Sequence, residues 1–188
     1  MEYKVCVTAA GKGSRLSLAR HTNKALVPLR GQAIISRIIR QFPEHVPMVV
    51  ALGYHADQVQ DFLSLAFPDR NITYMHVDNF DGPGSGPGYS LRACQEHLQC
   101  PFIFVACDTL VLDKIPEPST DWIGVAEVSA SAPYLIAKCT DKYTDKRVDC
   151  FFDKMSAEQI AQACGHAAPA PYQAFIGLAG VFNYTEFW

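Results

Sequence analysis

Short apolar runs alternate with helix-like stretches along the first hundred residues, and this alternation limits the choice of fold more than any other feature. The runs YKVCVTA, PMVVAL, ITYMHV and FIFVAC have the length of strands and are mostly apolar. Between them lie QAIISRIIRQF, ADQVQDFLSLAF and SLRACQEHL, which have helical patterns. Strands that are covered on both faces and separated by helices predict an α/β fold with a mainly parallel, mixed sheet and helices on both faces.

The pattern changes after Cys107. The segments WIGVAEVSA, YLIAKC, RVDCFFD and AFIGLAGVFNY predict further strands, and SAEQIAQAC predicts one helix. No internal repeat or low-complexity linker separates the two halves. A chain of 188 residues, 49% of them apolar, is expected to form one domain over residues 1–188, with the second half added to the same sheet.

The composition excludes several classes of protein. Sixteen Lys and Arg against nineteen Asp and Glu leave a formal charge of −3, which argues against a nucleic-acid partner. No window approaches the roughly 18 consecutive apolar residues of a membrane span, so a cytoplasmic protein is expected. Seven cysteines without a C-x-x-C motif favour buried thiols over disulfides or a zinc site. The oligomeric state stays open, and a homo-oligomer is compatible with the sequence.

A ligand is expected at the turn after the first strand, AAGKGSRL at residues 9–16. In open α/β sheets, ligands bind at the carboxyl ends of the strands. Glycines let backbone N–H groups approach an anion closely, while Lys12 and Arg15 add positive charge, so phosphate is the expected ligand. The turn is not a P-loop, because its lysine is misplaced, and not a dinucleotide fingerprint, because Leu16 stands where that motif needs glycine.

This turn and the following NKALVPLRGQAII, residues 23–35, together resemble the signature of nucleotidyltransferases that join a nucleoside triphosphate to a sugar phosphate or to phosphocholine. Lys24, Pro28 and Gly31 match the second part of that signature. Asn23 and Ala33 depart from it, since the family usually has proline at both positions. The resemblance implies a Rossmann-like nucleotidyltransferase fold and an enzyme that uses Mg²⁺, a nucleoside triphosphate and a phosphorylated acceptor.

The resemblance also implies roles for individual residues. Arg15 and Lys24 would be catalytic: Arg15 would hold the departing pyrophosphate, and Lys24 would sit between the two reacting phosphates. Asp108, at the end of FIFVACD, would bind Mg²⁺. The implied nucleotide-binding residues are Ala9, Ala10, Gly11, Gly13 and Ser14, together with Gly86, Gly88 and Ser90 in GPGSGPGYSLRAC, and the implied acceptor-binding residues are Gly177, Gly180 and Asn183.

Two of these segments are equally compatible with a purely structural role. GPGSGPG is also typical of a surface loop, because glycine and proline have a conformational use there. The apolar residues of FIGLAGVFNY could equally well belong to the hydrophobic core instead of lining an acceptor pocket. In the family a second acidic Mg²⁺ ligand follows the region that GLAGVFNY matches, whereas the chain stops at Trp188. We therefore expect the domain to be truncated at its C-terminal end.

This gap sustains a second hypothesis: a nucleotide-binding regulatory or assembly protein with a degenerate nucleotidyltransferase fold. A third hypothesis is a glycosyltransferase of similar sheet topology, but CDTLVLD does not match the D-x-D metal motif of those enzymes. Arg15, Lys24 and Asp108 are all present. Their presence favours an enzyme that transfers a nucleoside monophosphate to a sugar 1-phosphate or similar acceptor and releases pyrophosphate.

Overall fold

The computed structural model describes residues 2–14, 21–139, 147–165 and 172–188. The chain divides into two compact units, the first formed by Met1–Trp122 with Ala179–Trp188 and the second by Ile123–Leu178. The first unit carries every described site residue except Gly177, which belongs to the second.

Four parallel strands run through the first unit in the order β5–β4–β1–β6. They are β1 (Lys4–Ala9), β4 (Met48–Leu52), β5 (Ile72–His76) and β6 (Phe102–Ala106). The consecutive residues Val5, Cys6 and Val7 are all 0% exposed, so β1 is covered on both of its faces. The α/β class predicted from the continuous apolar runs is confirmed.

The predicted helices of this unit are α1 (Ile34–Ile39), α2 (Ala56–Ala66) and α3 (Pro87–Ala93), and a short α5 (Tyr184–Phe187) lies near the C-terminus. Both α2 and α3 contact β4, and α3 also contacts β1. Val59 and Leu63, four residues apart on α2, are fully buried and form its apolar face. No helix in the described part of the chain is long and apolar enough to cross a membrane.

The sequence pattern predicts a single helical stretch over SLRACQEHL, and the structure divides it. After α3 the backbone N–H of Cys94 donates to the carbonyl of Leu91, and that of His97 donates to the carbonyl of Cys94. These bonds span three residues, so the chain tightens into a 3₁₀ turn at Gln95–His97.

A small hairpin precedes α1 and was not expected from the sequence. Strands β2 (Pro28–Leu29) and β3 (Gln32–Ala33) pair antiparallel across the two-residue turn Arg30–Gly31. Both turn residues have positive φ, 50° and 76°, which is the conformation that favours glycine in such hairpins. The signature residue Gly31 therefore has a backbone reason to be glycine.

The second unit contains most of β7 (Trp122–Val128), β8 (Leu135–Cys139), β9 (Val148–Asp153), α4 (Ala157–Cys164) and most of β10 (Tyr172–Val181). Strand β8 pairs antiparallel with β9 and with β10. Helix α4 begins at a capping box between Ser156 and Gln159 and ends at Gly165, whose φ is 72°. A small apolar core joins these elements, formed by Ile136, Ile160, Tyr172 and Ala174.

The register of the parallel strands brings their carboxyl ends to one edge of the first unit. Ala9 at the end of β1 pairs with Leu52 at the end of β4, and Leu52 pairs with His76 at the end of β5. On the other side of β1, Thr8 pairs with Ala106, the last residue of β6. The segments that follow these four strands therefore start beside one another, at the edge where α/β sheets bind ligands.

Candidate nucleotide-binding site

The glycine turn follows β1 at this edge and lies against Lys24. Gly13 has a φ of +61°, a conformation that favours glycine. A Cβ built on Gly13 would lie 3.1 Å from the Cβ of Lys24 and 3.2 Å from its Cδ. The missing side chain therefore lets the turn approach the stem of the lysine closely, which joins the two parts of the sequence signature.

The other predicted residues of the turn differ in burial. Ala9 and Ala10 are fully buried, Gly11 is half-buried and Ser14 is exposed. Arg15 lies outside the described residues, so its catalytic role stays a prediction.

Lys24 reaches across the edge to the carboxyl end of β6. Its Nζ donates to Oδ2 of Asp108 at 2.9 Å, with the two side chains 25% and 56% exposed. Asp108 lies in the tight turn after β6, where the backbone N–H of Thr109 donates to the carbonyl of Ala106. The structure thus brings the predicted catalytic lysine and the predicted metal ligand into direct contact.

Asn23, the residue before Lys24, is fully buried although it is polar. Its Nδ2 donates to the carbonyls of Ala9 at 2.8 Å and Tyr54 at 2.6 Å. Its Oδ1 accepts from the backbone N–H of Ala25 and caps the 3₁₀ turn Lys24–Leu26. Sequence reasoning treated Asn23 as a departure from the signature, although an Asn before a helical segment is also an N-cap signal.

Cys107 lies beside the Lys24–Asp108 pair but is unsuited to act as a nucleophile. Burial raises the pKa of its thiol to about 11, despite the lowering effect of the nearby Lys24 charge. The thiol is therefore protonated at neutral pH, and the thiolate is the reactive form.

A second ion pair joins the glycine turn to the segment after β5. The Nζ of Lys12 bonds to Oδ2 of Asp81, and both side chains are half-exposed. Asp81 opens the glycine-rich loop, in which Gly82 and Gly84 have φ values of 91° and 80°. This pair was not predicted, because the two residues are 69 positions apart in the sequence.

The residues predicted to contact the nucleobase lie at the start of α3. Gly86 is the N-cap, and its carbonyl accepts from the backbone N–H of Ser90 at 3.0 Å. Ser90 is buried, whereas Gly88 is exposed within the first turn of the helix. Their contact with a base stays a prediction, as does the alternative of a plain surface loop.

Gly53, the residue after β4, lies against the backbone of the glycine turn and should tolerate no side chain. A Cβ there would lie 2.7 Å from the carbonyl oxygen of Ala10 and 2.6 Å from the Cβ of Phe80. We expect Gly53→Ala to lower the free energy of unfolding by about 1–3 kcal/mol, the usual cost of overpacking. Urea unfolding checks this, with Gly88→Ala as the matched control, because a Cβ at Gly88 would meet nothing within 4 Å. Equal midpoints for the two variants would contradict the expectation.

The three residues predicted to bind the acceptor each have a structural role as well. Gly177, in the second unit, has a φ of 76°. A Cβ on Gly180 would lie 2.2 Å from Nε1 of Trp122, so this glycine makes room for the indole. The side-chain amide of Asn183 donates to Oδ2 of Asp121 at 2.7 Å. Acceptor binding by these residues stays a prediction.

The contact between Asp121 and Asn183 predicts a pH dependence of stability. Burial raises the pKa of the Asp121 carboxyl, but hydrogen bonds from the backbone N–H groups of Asn183 and Phe182 and from the Asn183 side chain outweigh it and lower the pKa below its ordinary value. A depressed pKa in the folded protein stabilises it above the ordinary value of about 4 and loses that contribution as the pH falls further.

We therefore expect Asp121→Asn to lower the melting temperature at neutral pH, and the difference from the parent protein to shrink as the pH falls below about 4. Thermal unfolding across a pH series measures this difference. The exposed residue Asp113 offers a control at neutral pH, where Asp113→Asn should leave the melting temperature close to that of the parent. A difference for Asp121→Asn that stays constant with pH would refute the assigned cause.

Asp108 could help to hold a magnesium ion that arrives with a triphosphate. Mg²⁺ in nucleotide sites is usually bound by one or two carboxylates together with phosphate oxygens and water. Asp108 presents a half-exposed carboxylate at the correct edge of the sheet, which fits this mode. Within the described residues no group of three or more His, Cys, Asp and Glu could hold a metal ion.

A cavity of about 710 Å³ opens at the other end of the strands and holds none of these residues. Its lining includes Lys4, the first residue of β1, and Pro47 and Cys100, which come just before β4 and β6. We place the site at the carboxyl edge because the glycine turn, the ion pairs and the buried Asn23 all meet there.

The parallel strands of the first unit thus carry a glycine turn, a lysine and an aspartate at their carboxyl edge. The chain belongs to the family of MobA-like NTP transferase domains, whose profile matches residues 5–115. That range contains the glycine turn, Lys24 and Asp108. The family resemblance proposed from the two-part signature is thereby confirmed.

Comparison with curated proteins and solved structures agrees with this assignment. The Bifunctional IPC transferase and DIPP synthase of Archaeoglobus fulgidus is 30% identical over 123 residues, which are 65% of this chain and 24% of that protein. The chain thus spans about a quarter of the length of this relative.

Three solved structures share the fold. UDP-glucose pyrophosphorylase complexed with UDP-glucose superposes with a TM-score of 0.76 at 15% identity, covering 96% of this chain and 76% of that one. A putative glucose-1-phosphate thymidylyltransferase from Bacillus anthracis gives 0.74 at 18% identity, covering 96% and 71%. CTP:phosphocholine cytidylyltransferase from Streptococcus pneumoniae gives 0.64 at 15% identity, covering 97% and 72%. At these identities the likeness concerns the fold.

Proposed function

We propose that this chain transfers a nucleoside monophosphate from a nucleoside triphosphate to a sugar 1-phosphate or a similar phosphorylated acceptor. The observation that carries the proposal is the position of Lys24, whose stem lies against the glycine turn and whose ammonium meets Asp108. Family membership supports the class of reaction, and the names of the solved relatives, which include sugar-phosphate and phosphocholine transferases, support the class of acceptor.

The reaction brings two anions together. An oxygen of the acceptor phosphate attacks the α-phosphorus of the triphosphate in line, and a new P–O bond forms. The bond between the α-phosphorus and the oxygen that bridges to the β-phosphate breaks, and pyrophosphate leaves with that electron pair. Such transfers depend mostly on positioning and on electrostatic stabilisation of the transition state, because the protein supplies no covalent chemistry.

The residues of the carboxyl edge suit these tasks. Backbone N–H groups of residues 11–14 would bind the β- and γ-phosphates, with Arg15 as a further contact. The Lys24 ammonium would lie between the acceptor phosphate and the α-phosphate, where its charge offsets their repulsion. Asp108 would hold Mg²⁺, which neutralises triphosphate charge when bound.

A pyrophosphate-release screen tests the proposal. The four ribonucleoside triphosphates and dTTP are each combined with a panel of sugar 1-phosphates and phosphocholine in the presence of Mg²⁺. We expect at least one pair to release pyrophosphate in proportion to the acceptor consumed. If no pair turns over and thermal shift shows no triphosphate stabilising the protein, the proposal is wrong. Stabilisation by a triphosphate without turnover would support the alternative of a nucleotide-binding regulatory or assembly protein.

A further inference from the structure

We propose that Asn23 is a positioning residue: its buried side-chain amide ties the ends of β1 and β4 to the turn that carries Lys24, and so sets the place of the lysine ammonium. The expected effect of Asn23 on catalysis rests on the proposed function, whereas its effect on the position of Lys24 does not.

Both N–H groups and the oxygen of the Asn23 side-chain amide have hydrogen-bond partners. Its two N–H groups serve the carbonyls of Ala9 and Tyr54, at the end of β1 and just after β4, and its oxygen serves the N–H of Ala25. The residue is 0% exposed. Any other orientation of the amide would leave buried polar groups unpaired, which is costly inside a protein. The side chain is therefore locked to two strand ends that are otherwise far apart in sequence.

Because Asn23 is held in place, the backbone position of the next residue, Lys24, is held as well. The 3₁₀ turn is closed by a hydrogen bond from the N–H of Leu26 to the carbonyl of Asn23. Lys24 leaves the turn with its stem against Gly13 and its ammonium on Asp108. Asn23 thus fixes the backbone end of the lysine, while Asp108 meets its charged end.

The backbone of Asn23 explains how this chain departs from the signature without losing its geometry. Asn23 has φ −69° and ψ 140°, and proline fixes φ near about −65°. The conformation that proline would impose is therefore kept, and three hydrogen bonds hold it. Asn23→Pro should preserve φ while deleting all three bonds, and Asn23→Asp should keep the acceptor for Ala25 while deleting both donors.

The geometric part is tested without catalysis, by competitive acetylation with limiting acetic anhydride and mass spectrometry. The rate of Lys24 is measured relative to that of the exposed Lys114 in the same molecule. We expect both Asn23 variants to raise this ratio several-fold, as should Asp108→Asn, which removes a carboxylate that the ammonium contacts. Val59→Ala, a change at a fully buried site on α2, is the destabilised control and should leave the ratio unchanged.

The catalytic part is tested with the substrate pair found in the pyrophosphate screen. We expect Asn23→Pro to lower kcat by about tenfold or more, because small misplacements of reacting groups are costly, with little change in the KM for the triphosphate. Val59→Ala should leave kcat at the parent value. Because an unfolded fraction would by itself lower the apparent kcat without changing KM, kcat is expressed per folded molecule, with the folded fraction of each variant measured by circular dichroism at the assay temperature.

The two measurements distinguish failure of this proposal from failure of the proposed function. An unchanged acetylation ratio in both Asn23 variants overturns the positioning role, whether or not the parent is active. A uniform rise at every lysine also overturns it, since that indicates general unfolding. A raised Lys24 ratio in the Asn23 variants, together with a parent protein that turns over no substrate pair, supports the positioning role and contradicts the proposed function.

Discussion

Lys24→Ala should lower kcat by on the order of 10²- to 10³-fold, the usual cost of removing one electrostatic contact to a transition state. The charge of Lys24 matters most when the acceptor phosphate and the α-phosphate approach each other. Triphosphate affinity should therefore change much less than kcat. Steady-state kinetics and calorimetry on the same variant measure the two effects separately.

Two further variants make this result specific. Lys24→Arg should restore little activity, because a planar guanidinium does not replace a compact ammonium between two phosphates. Lys114→Ala removes an exposed lysine that the proposed mechanism does not use, and it should leave kcat unchanged. A kcat for Lys24→Ala within a few-fold of the parent would remove Lys24 from the mechanism.

Asp108→Asn should have a comparable effect on turnover with Mg²⁺ present. A metal ion that stabilises transition-state charge contributes several kcal/mol, and each 1.36 kcal/mol changes a rate about tenfold, so we expect a loss on the order of 10²-fold or more. The same substitution also removes the carboxylate that meets Lys24. Its effect on triphosphate binding should therefore depend on the metal.

Calorimetry with and without Mg²⁺ checks this dependence. Without Mg²⁺, we expect Asp108→Asn to bind triphosphate at least as tightly as the parent, because a repelling carboxylate is gone. With Mg²⁺, the parent should bind more tightly than the variant. Asp113→Asn, at an exposed site five residues further on, is the control and should behave as the parent does. Identical responses of Asp108→Asn and the parent to Mg²⁺ would exclude Asp108 as a metal ligand.

The sequence predicted the strands and helices of the first unit well because their periodicities are local. Strands β1, β4, β5 and β6 lie within the four apolar runs, and α1 and α2 lie within the predicted helical stretches. The break at Cys94 was not predicted, since a change from four-residue to three-residue hydrogen bonds leaves the apolar pattern intact. The hairpin β2–β3 was missed because strands of two residues are too short to show alternation.

The candidate site was partly predictable from the strand order and the family signature. Residues that follow parallel strands meet at one edge, so the proximity of the glycine turn, Lys24 and Asp108 follows from strand order and the family signature. Asn23 and Asp81 were not anticipated. Apart from Ala25, which Asn23 caps, their partners are 14 to 69 residues away in the sequence, and side-chain contacts over such distances leave no periodic pattern.

In the two lysine–aspartate pairs at this edge of the sheet, the protein itself supplies the counter-ions of its lysines. Lys12 is matched by Asp81 and Lys24 by Asp108, so each of these two cations has a tethered anion beside it. A polyphosphate that enters must exchange places with carboxylates that cannot diffuse away, instead of displacing mobile salt ions. Its affinity should therefore vary less steeply with ionic strength than the number of lysines suggests, and selectivity would come from how well a ligand's phosphates outcompete those resident carboxylates.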